Sequence, residues 1–190
     1  MVELKPYEEC YKESVRETCI ITGPAAARDN KTVRAWLLAS FCDYYIEQEP
    51  ENCFVLADRN NEAMGYIICA ENYKEFKKVY LKKYVKAARR QGGFYAGLRT
   101  AVAIIPLAFY AKKYPAHLHI DIRPYYQRQG WGRKLMDRLL DHLRQKKVKG
   151  LILIVGKSNK QAISFYKKYG FKEVSNFFGF VAMGVDLNDD

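Results

Sequence analysis

The spacing of apolar residues changes along the chain, and each change marks an element. His117-Leu118-His119-Ile120-Asp121-Ile122 alternates polar and apolar, the pattern of a strand with two unlike faces. After the break Arg123-Pro124 comes Gln127-Arg128-Gln129-Gly130-Trp131-Gly132. From Arg133 to Lys146 apolar residues recur three and four apart, which predicts strand, glycine-rich turn and helix in that order. Leu151 to Val155 is continuously apolar, as in a strand covered on both sides. Ser158 or Asn159 caps a helix from Lys160 to Tyr169, and Gly170 stops it. Phe171–Val174 and Phe180–Leu187 are the last strands, followed by an acidic end.

Upstream, Val2–Lys5 is a short strand and Pro6–Ile21 a helix with Tyr7, Cys10, Tyr11, Ser14, Val15 and Thr18 along one side. Thr22-Gly23-Pro24 ends it. Asp29 or Asn30 caps a second helix, Lys31 to Glu47, whose stripe runs through Val33, Trp36, Leu37, Ser40, Phe41, Tyr44 and Tyr45. Cys53–Ala57 and Ala63–Ala70 form a hairpin across Asp58-Arg59-Asn60-Asn61. Tyr73–Arg90 is helical, with tyrosines on one face and lysines on the others. Gln91-Gly92-Gly93 breaks it, and Phe94–Lys113 follows as a helix kinked near Pro106. Residues 71–114 thus stand as a helical insertion between two strands, a length typical of functional lids. Its apolar run, Ala101 to Ala111, is too short to span a bilayer.

Length adds little to this pattern: 190 residues make one domain, 1–190. Charge adds more. The net charge is +11, and between Glu71 and Tyr114 eight Lys and three Arg face two Glu, so most of the surplus lies in the insertion. Three readings of those cations stay open: a solvated face with lysine stems over tyrosines, a lid attracting an anionic ligand, or a surface for nucleic acid or membrane. Five cysteines, an odd number without CxxC spacing, suggest reduced core thiols in a cytoplasmic protein. None lies near His117, His119 or His142 in sequence, so a zinc site is not expected.

Gly130 and Gly132 let the backbone approach a ligand closely. The first amides of the following helix are unpaired at its positive end, a site for phosphate. Gly156-Lys157-Ser158 mimics the end of a P-loop, but Leu151 stands where that motif needs glycine.

Gln127-x-x-Gly130-x-Gly132 after a strand, then helix, apolar strand, Asn159, Tyr166 and Tyr169-Gly170-Phe171, resembles the GCN5-related N-acetyltransferase (GNAT) superfamily. Tyr114-Pro115-Ala116-His117-Leu118-His119-Ile120-Asp121 is further similar to bacterial relatives of the acetyltransferase-like domain of O-GlcNAcase. The resemblance implies an α/β GNAT fold. Its mixed central sheet would have six to seven strands, helices on both faces and the helical insertion before the fourth strand. It also implies acetyl-CoA as co-substrate, no metal, and a small-molecule or peptide amine as acceptor. Nucleic acid is not expected as a partner, nor a membrane span; the assembly is a monomer or homodimer. The acetyl-CoA pyrophosphate would lie on the amides of Arg128, Gln129, Gly130, Trp131, Gly132, Arg133 and Lys134, beside Gln127. The pantetheine arm would pair with backbone of Ile122 and Arg123, between the splayed strands 117–122 and 151–155, and with Asn159. Tyr166 would protonate the departing thiolate. Asp121 or His119, which share a strand face with His117, would be the base. No covalent intermediate is implied, so no cysteine is required. A non-catalytic acyl-CoA-binding or interaction domain, and a polyanion-binding protein, are the alternatives.

Overall fold

The computed structural model describes residues 2–187; the acidic end, 188–190, lies outside the described residues. Seven strands form one sheet: β1 (Glu3–Pro6), β2 (Cys53–Ala57), β3 (Ala63–Ala70), β4 (Ala116–Ile122), β5 (Gly150–Gly156), β6 (Lys172–Phe177) and β7 (Phe180–Asp186). Their order is β1-β2-β3-β4-β5-β7-β6. The hairpin expected over 53–57 and 63–70 forms with the bounds that its sequence pattern gives. The sheet is mixed because β4 and β5 run parallel while the other neighbours are antiparallel.

The β4–β5 pair positions the site. It is registered only at Ala116↔Leu151 and His117↔Ile152. Beyond these the strands diverge, and the remaining five residues of β4 have no ladder partner on that side. On the other side β4 is paired with β3 along its length, Gly65↔Ile122 through Ala70↔His117. A strand held on one side and open on the other offers unpaired backbone groups inside the protein, which need a partner.

Helices cover both faces. On one lie α1 (Lys12–Thr22), α2 (Lys31–Phe41), α3 (Asp43–Gln48) and the insertion, around Val15, Tyr45, Tyr66, Phe76 and Tyr80. On the other lie α8 (Trp131–Gln145) and α9 (Lys160–Lys168), around Leu118, Leu135, Leu139, Leu153 and Tyr166. The insertion consists of α4 (Tyr73–Val79), a widened π turn at Tyr80–Tyr84, α5 (Val85–Gly92), α6 (Phe94–Ala103) and α7 (Ile105–Ala108).

Several expectations need correction. The helix expected over 31–47 divides at Cys42, whose φ of −141° and ψ of −68° are not helical. Both halves keep an apolar side on the same core, so the stripe in the sequence runs on through the break. The first helix starts at Lys12, after a 3₁₀ turn at Glu9–Tyr11. In the insertion, Pro106 starts a new short helix after a break at Ile104, and regular helix stops at Ala108 rather than Lys113. Four cysteines are buried as expected, but Cys10 is exposed. The insertion's tyrosine stripe is core: Phe76, Tyr80 and Tyr84 are buried, and the Tyr80 and Tyr84 hydroxyls bond Thr100 O at 3.1 Å and Glu47 Oε2 at 2.9 Å. Among the described residues, no helix is long and apolar enough to cross a membrane.

Candidate active site

The groove begins at the glycine-rich turn. Gly130 has φ +83°, a left-handed conformation that side chains disfavour, and it caps α8. Gly132 is different. A Cβ there would meet Phe165 at 3.6 Å and Ile122 at 3.8 Å, ordinary contacts, so crowding does not explain the glycine. What a side chain would fill is the groove itself, at the amino end of a 15-residue helix. Bare amides, helix dipole and open space together suit a pyrophosphate.

From the turn the groove follows the diverging strands. It holds about 870 Å³ and is lined by Ile120, Asp121 and Ile122 of β4, by Gln127, Arg128, Gly130, Gly132 and Arg133, and by Asn159, Ala162 and Phe165 of α9. Ile21 and Thr22 at the end of α1 close one side. The turn is tied to the strand by Gln127 Nε2, which donates to Ile122 O at 2.7 Å. It is tied to α9 by Arg128, which reaches Gln161 Oε1 at 3.4 Å, and by Tyr169, whose hydroxyl donates to Arg133 O at 3.1 Å. Asn159 caps α9 through its Oδ1, which accepts from Ala162 N at 3.0 Å.

Strand alternation decides which backbone groups face the groove. Arg123 N donates to Met64 O at 2.9 Å, so the odd-numbered residues of this strand bond β3. The N–H groups of Leu118, Ile120 and Ile122 therefore point into the gap toward β5. This corrects the expectation for Arg123: its carbonyl accepts from Tyr126 N at 2.9 Å, and its guanidinium bonds Thr18 and Glu17. Neither backbone group is left for a ligand. Ile122 keeps its place in the groove.

Other named residues fall outside the lining. Gln129 Nε2 donates to Tyr125 O at 2.6 Å. Trp131 packs on the core beside the turn, and Lys134 Nζ lies over its ring at 4.2 Å. Tyr166, 8% exposed, is packed against Phe165 and Phe171, with ring centroids 5.4 and 5.7 Å away. Burial raises its phenol, and the charge of Asp121 raises it further.

The candidate bases have opposite environments. Burial raises Asp121 to about 6, while Tyr66, whose hydroxyl donates to Asp121 Oδ2 at 2.6 Å, holds the carboxylate back. Burial drives His119 down to about 4. Its Nε2 lies 3.0 Å from the Tyr45 hydroxyl, and its ring stands edge-on to Phe41 and Tyr45. Asp121 therefore faces the groove as a carboxylate of usable basicity, and His119 faces an aromatic cavity as a neutral ring. Sequence reasoning missed Tyr66, Thr22 and Phe165. Tyr66 is set opposite Asp121 by the β3–β4 register, which no local pattern in the sequence gives.

Metal binding has no support in the donor set: no group of three His, Cys, Asp or Glu capable of holding an ion occurs among the described residues.

The chain matches the family model described as "Acetyltransferase (GNAT) family" over residues 26–171. It is similar over 99% of its length, and 99% of the other chain, to the crystal structure of SsHAT, with a TM-score of 0.83 and 27% identity. The PaiA N-acetyltransferase of Thermoplasma acidophilum, solved with coenzyme A, shares the fold at a TM-score of 0.60 and 13% identity, covering 98% of this chain and 99% of that one. Over 57 residues, 30% of this chain, it is 44% identical to the [ribosomal protein bS18]-alanine N-acetyltransferase of Escherichia coli strain K12. That match spans only 38% of the enzyme's length.

Proposed function

The chain belongs to the GNAT acetyltransferase family, and from that premise we propose that it is an N-acetyltransferase moving the acetyl group of acetyl-CoA to a primary amine in a ternary complex. The observation that carries this reading is the parting of β4 from β5 beside the Gly130–Gly132 turn. It leaves a backbone-lined slot with an anion site at one end. Acetyl-CoA brings an activated thioester to the slot.

The protein's own groups divide the remaining work. The amides of the turn and of the first turn of α8, with Arg128 and Arg133 beside them, hold phosphate oxygens. Ile120 and Ile122 offer N–H groups to an extended arm, and the Ile122 N–H is placed for a carbonyl oxygen that gains charge. Asp121 takes a proton from the attacking amine, directly or through one water. Tyr166 keeps its proton at neutral pH because burial opposes the phenolate, so it stands as a neutral O–H that can hydrogen-bond a departing thiolate and pass it a proton. His119 positions Tyr45 and stays neutral.

A binding domain without turnover is the second reading. It draws support from Tyr166, whose ring is packed among Phe165 and Phe171 and does not line the groove. Free-thiol release from acetyl-CoA across an amine panel separates the two. Turnover with at least one amine supports the transferase. Acetyl-CoA binding by calorimetry without thiol release supports the binder, and absence of binding sinks both.

A further inference from the structure

A second cavity lies against β4 on the opposite side from the turn. It holds about 360 Å³ and is built from four distant parts of the chain: α2 and α3 (Trp36, Phe41, Tyr45), α6 and its continuation (Arg99, Ala103), β4 (His117, His119) and the β6–β7 turn (Phe177, Phe178). Its residues reach within two positions of Asp121 on the same face of β4, about 7 Å along a strand. The two cavities thus lie against neighbouring stretches of β4.

We infer that this chamber receives the acceptor, and that the acceptor is a primary monoamine on an aromatic or bulky apolar body, not a polycation. The inference rests on the reading of the groove as the acetyl-CoA site. Its own support is threefold. His117 is 2% exposed, lines the chamber, and has no hydrogen-bond partner at Nδ1 or Nε2. The rings of Tyr45, Tyr73 and Phe76 pack against it. A buried polar group left unpaired is destabilising, and a ligand bearing one donor or acceptor would offset that cost. Among the described residues the lining contains no carboxylate, and its cation, Arg99, sits over the Trp36 ring at 3.8 Å. A second or third ammonium would find no partner here and would be repelled at the rim. Finally, Phe178 stands at the lip 98% exposed, in a turn where its φ is +42°. Asn or Gly is usual at such a position, so the aromatic ring is held there against both solvent and backbone preference. The volume suits one arylalkyl group.

The transfer balances without any further reactant. The amine nitrogen forms the new C–N bond to the acetyl carbon, and its proton passes to Asp121. The C–S bonding pair leaves on sulfur, which is protonated by way of the Tyr166 phenol, and the proton collected by Asp121 restores that phenol through solvent. A chamber without carboxylates favours the neutral amine, the form that attacks.

The test compares 2-phenylethylamine, the peptide amide Phe-Ala-Ala and spermidine, by thiol release with acetyl-CoA and by calorimetry on the protein saturated with CoA. Phenylethylamine or the Phe peptide should be used at least tenfold better than spermidine in kcat/KM; whichever of the two is preferred tells a free amine from a peptide N-terminus. Ala103→Trp, which fills the chamber, should abolish binding of the aromatic amine and keep that of CoA. Arg99→Glu should shift preference toward spermidine at least tenfold. Equal or better use of spermidine by the wild-type protein, or unchanged amine binding in Ala103→Trp, overturns the inference while leaving the transferase reading intact. Aromatic-amine binding that Ala103→Trp removes, without any acetylation, keeps the chamber's chemistry and overturns the transferase instead.

Discussion

Asp121 carries the clearest consequence at the scale of single residues. Its folded-state affinity for a proton, near pH 6, lies above the ordinary value of 3.8. The stabilising effect of its protonated form is complete below about pH 4 and is lost as pH rises through 6. Above pH 6 the fold therefore bears the cost of a half-buried carboxylate. Asp121→Asn removes that charge and keeps an oxygen for the Tyr66 hydroxyl. It should raise stability at pH 8 by on the order of 1–2 kcal/mol and change it little at pH 4, while lowering kcat at least 100-fold. Thermal unfolding at the two pH values, with kcat at pH 8, checks both halves. A kcat at pH 8 that does not fall removes Asp121 as the base, and a loss of stability at pH 8 makes it a strut. In the wild-type protein kcat/KM should fall as pH drops through 6. Tyr166→Phe tests the proton donor: kcat should fall 10- to 1000-fold with acetyl-CoA affinity within twofold, and an unchanged kcat removes Tyr166 from the mechanism.

Between elements, the turn and the strand gap separate what glycine does by conformation from what it does by absence. Gly132→Leu puts a side chain into the groove where the nearest protein atoms leave room. Acetyl-CoA affinity should drop at least tenfold while the melting temperature shifts by only a few degrees; a large loss of stability with intact affinity would mean the glycine serves packing. Much at this scale was legible in the sequence. The bounds of β2 and β3, a cap at Ser158 or Asn159 and the order of strand, turn and helix around Gly130 follow from period and capping alone, and the structure gives the cap to Asn159. The break at Cys42 was not legible, because Tyr44 and Tyr45 remain on the apolar side after it. The direction of the Arg123 amide was not legible either. It depends on the β3–β4 register, and one residue of register reverses which groups face the gap. The chamber was the least visible feature: its lining is drawn from residues 36 to 180, and no local pattern announces a contact between Trp36 and Arg99.

For the whole molecule, the two cavities differ in charge, and this gives the excess of cations a specific test. The groove is bordered by Arg128, Arg133 and Lys168, with Asp121 as its only carboxylate among the described residues; the chamber has Arg99 at its rim and mostly aromatic and aliphatic walls, with Ser40, His117 and His119 as its other polar side chains. With a net charge of +11, the molecule attracts a polyphosphate from beyond contact distance and repels cationic amines. Salt acts on such attraction through screening, with a Debye length that shrinks from about 10 Å at 0.1 M to about 3 Å at 1 M. Burial of an apolar body is not screened in this way. Raising sodium chloride from 50 to 500 mM should therefore weaken CoA binding several-fold, mostly through slower association, and leave the affinity for 2-phenylethylamine within twofold. Stopped-flow association for CoA and calorimetry for the amine give the two numbers. If both ligands weaken equally, the surplus charge is a general property of the surface, and the division of labour between groove and chamber fails. If only CoA responds, the surplus cations act on the ligand of the groove, while the chamber holds the amine through its apolar walls.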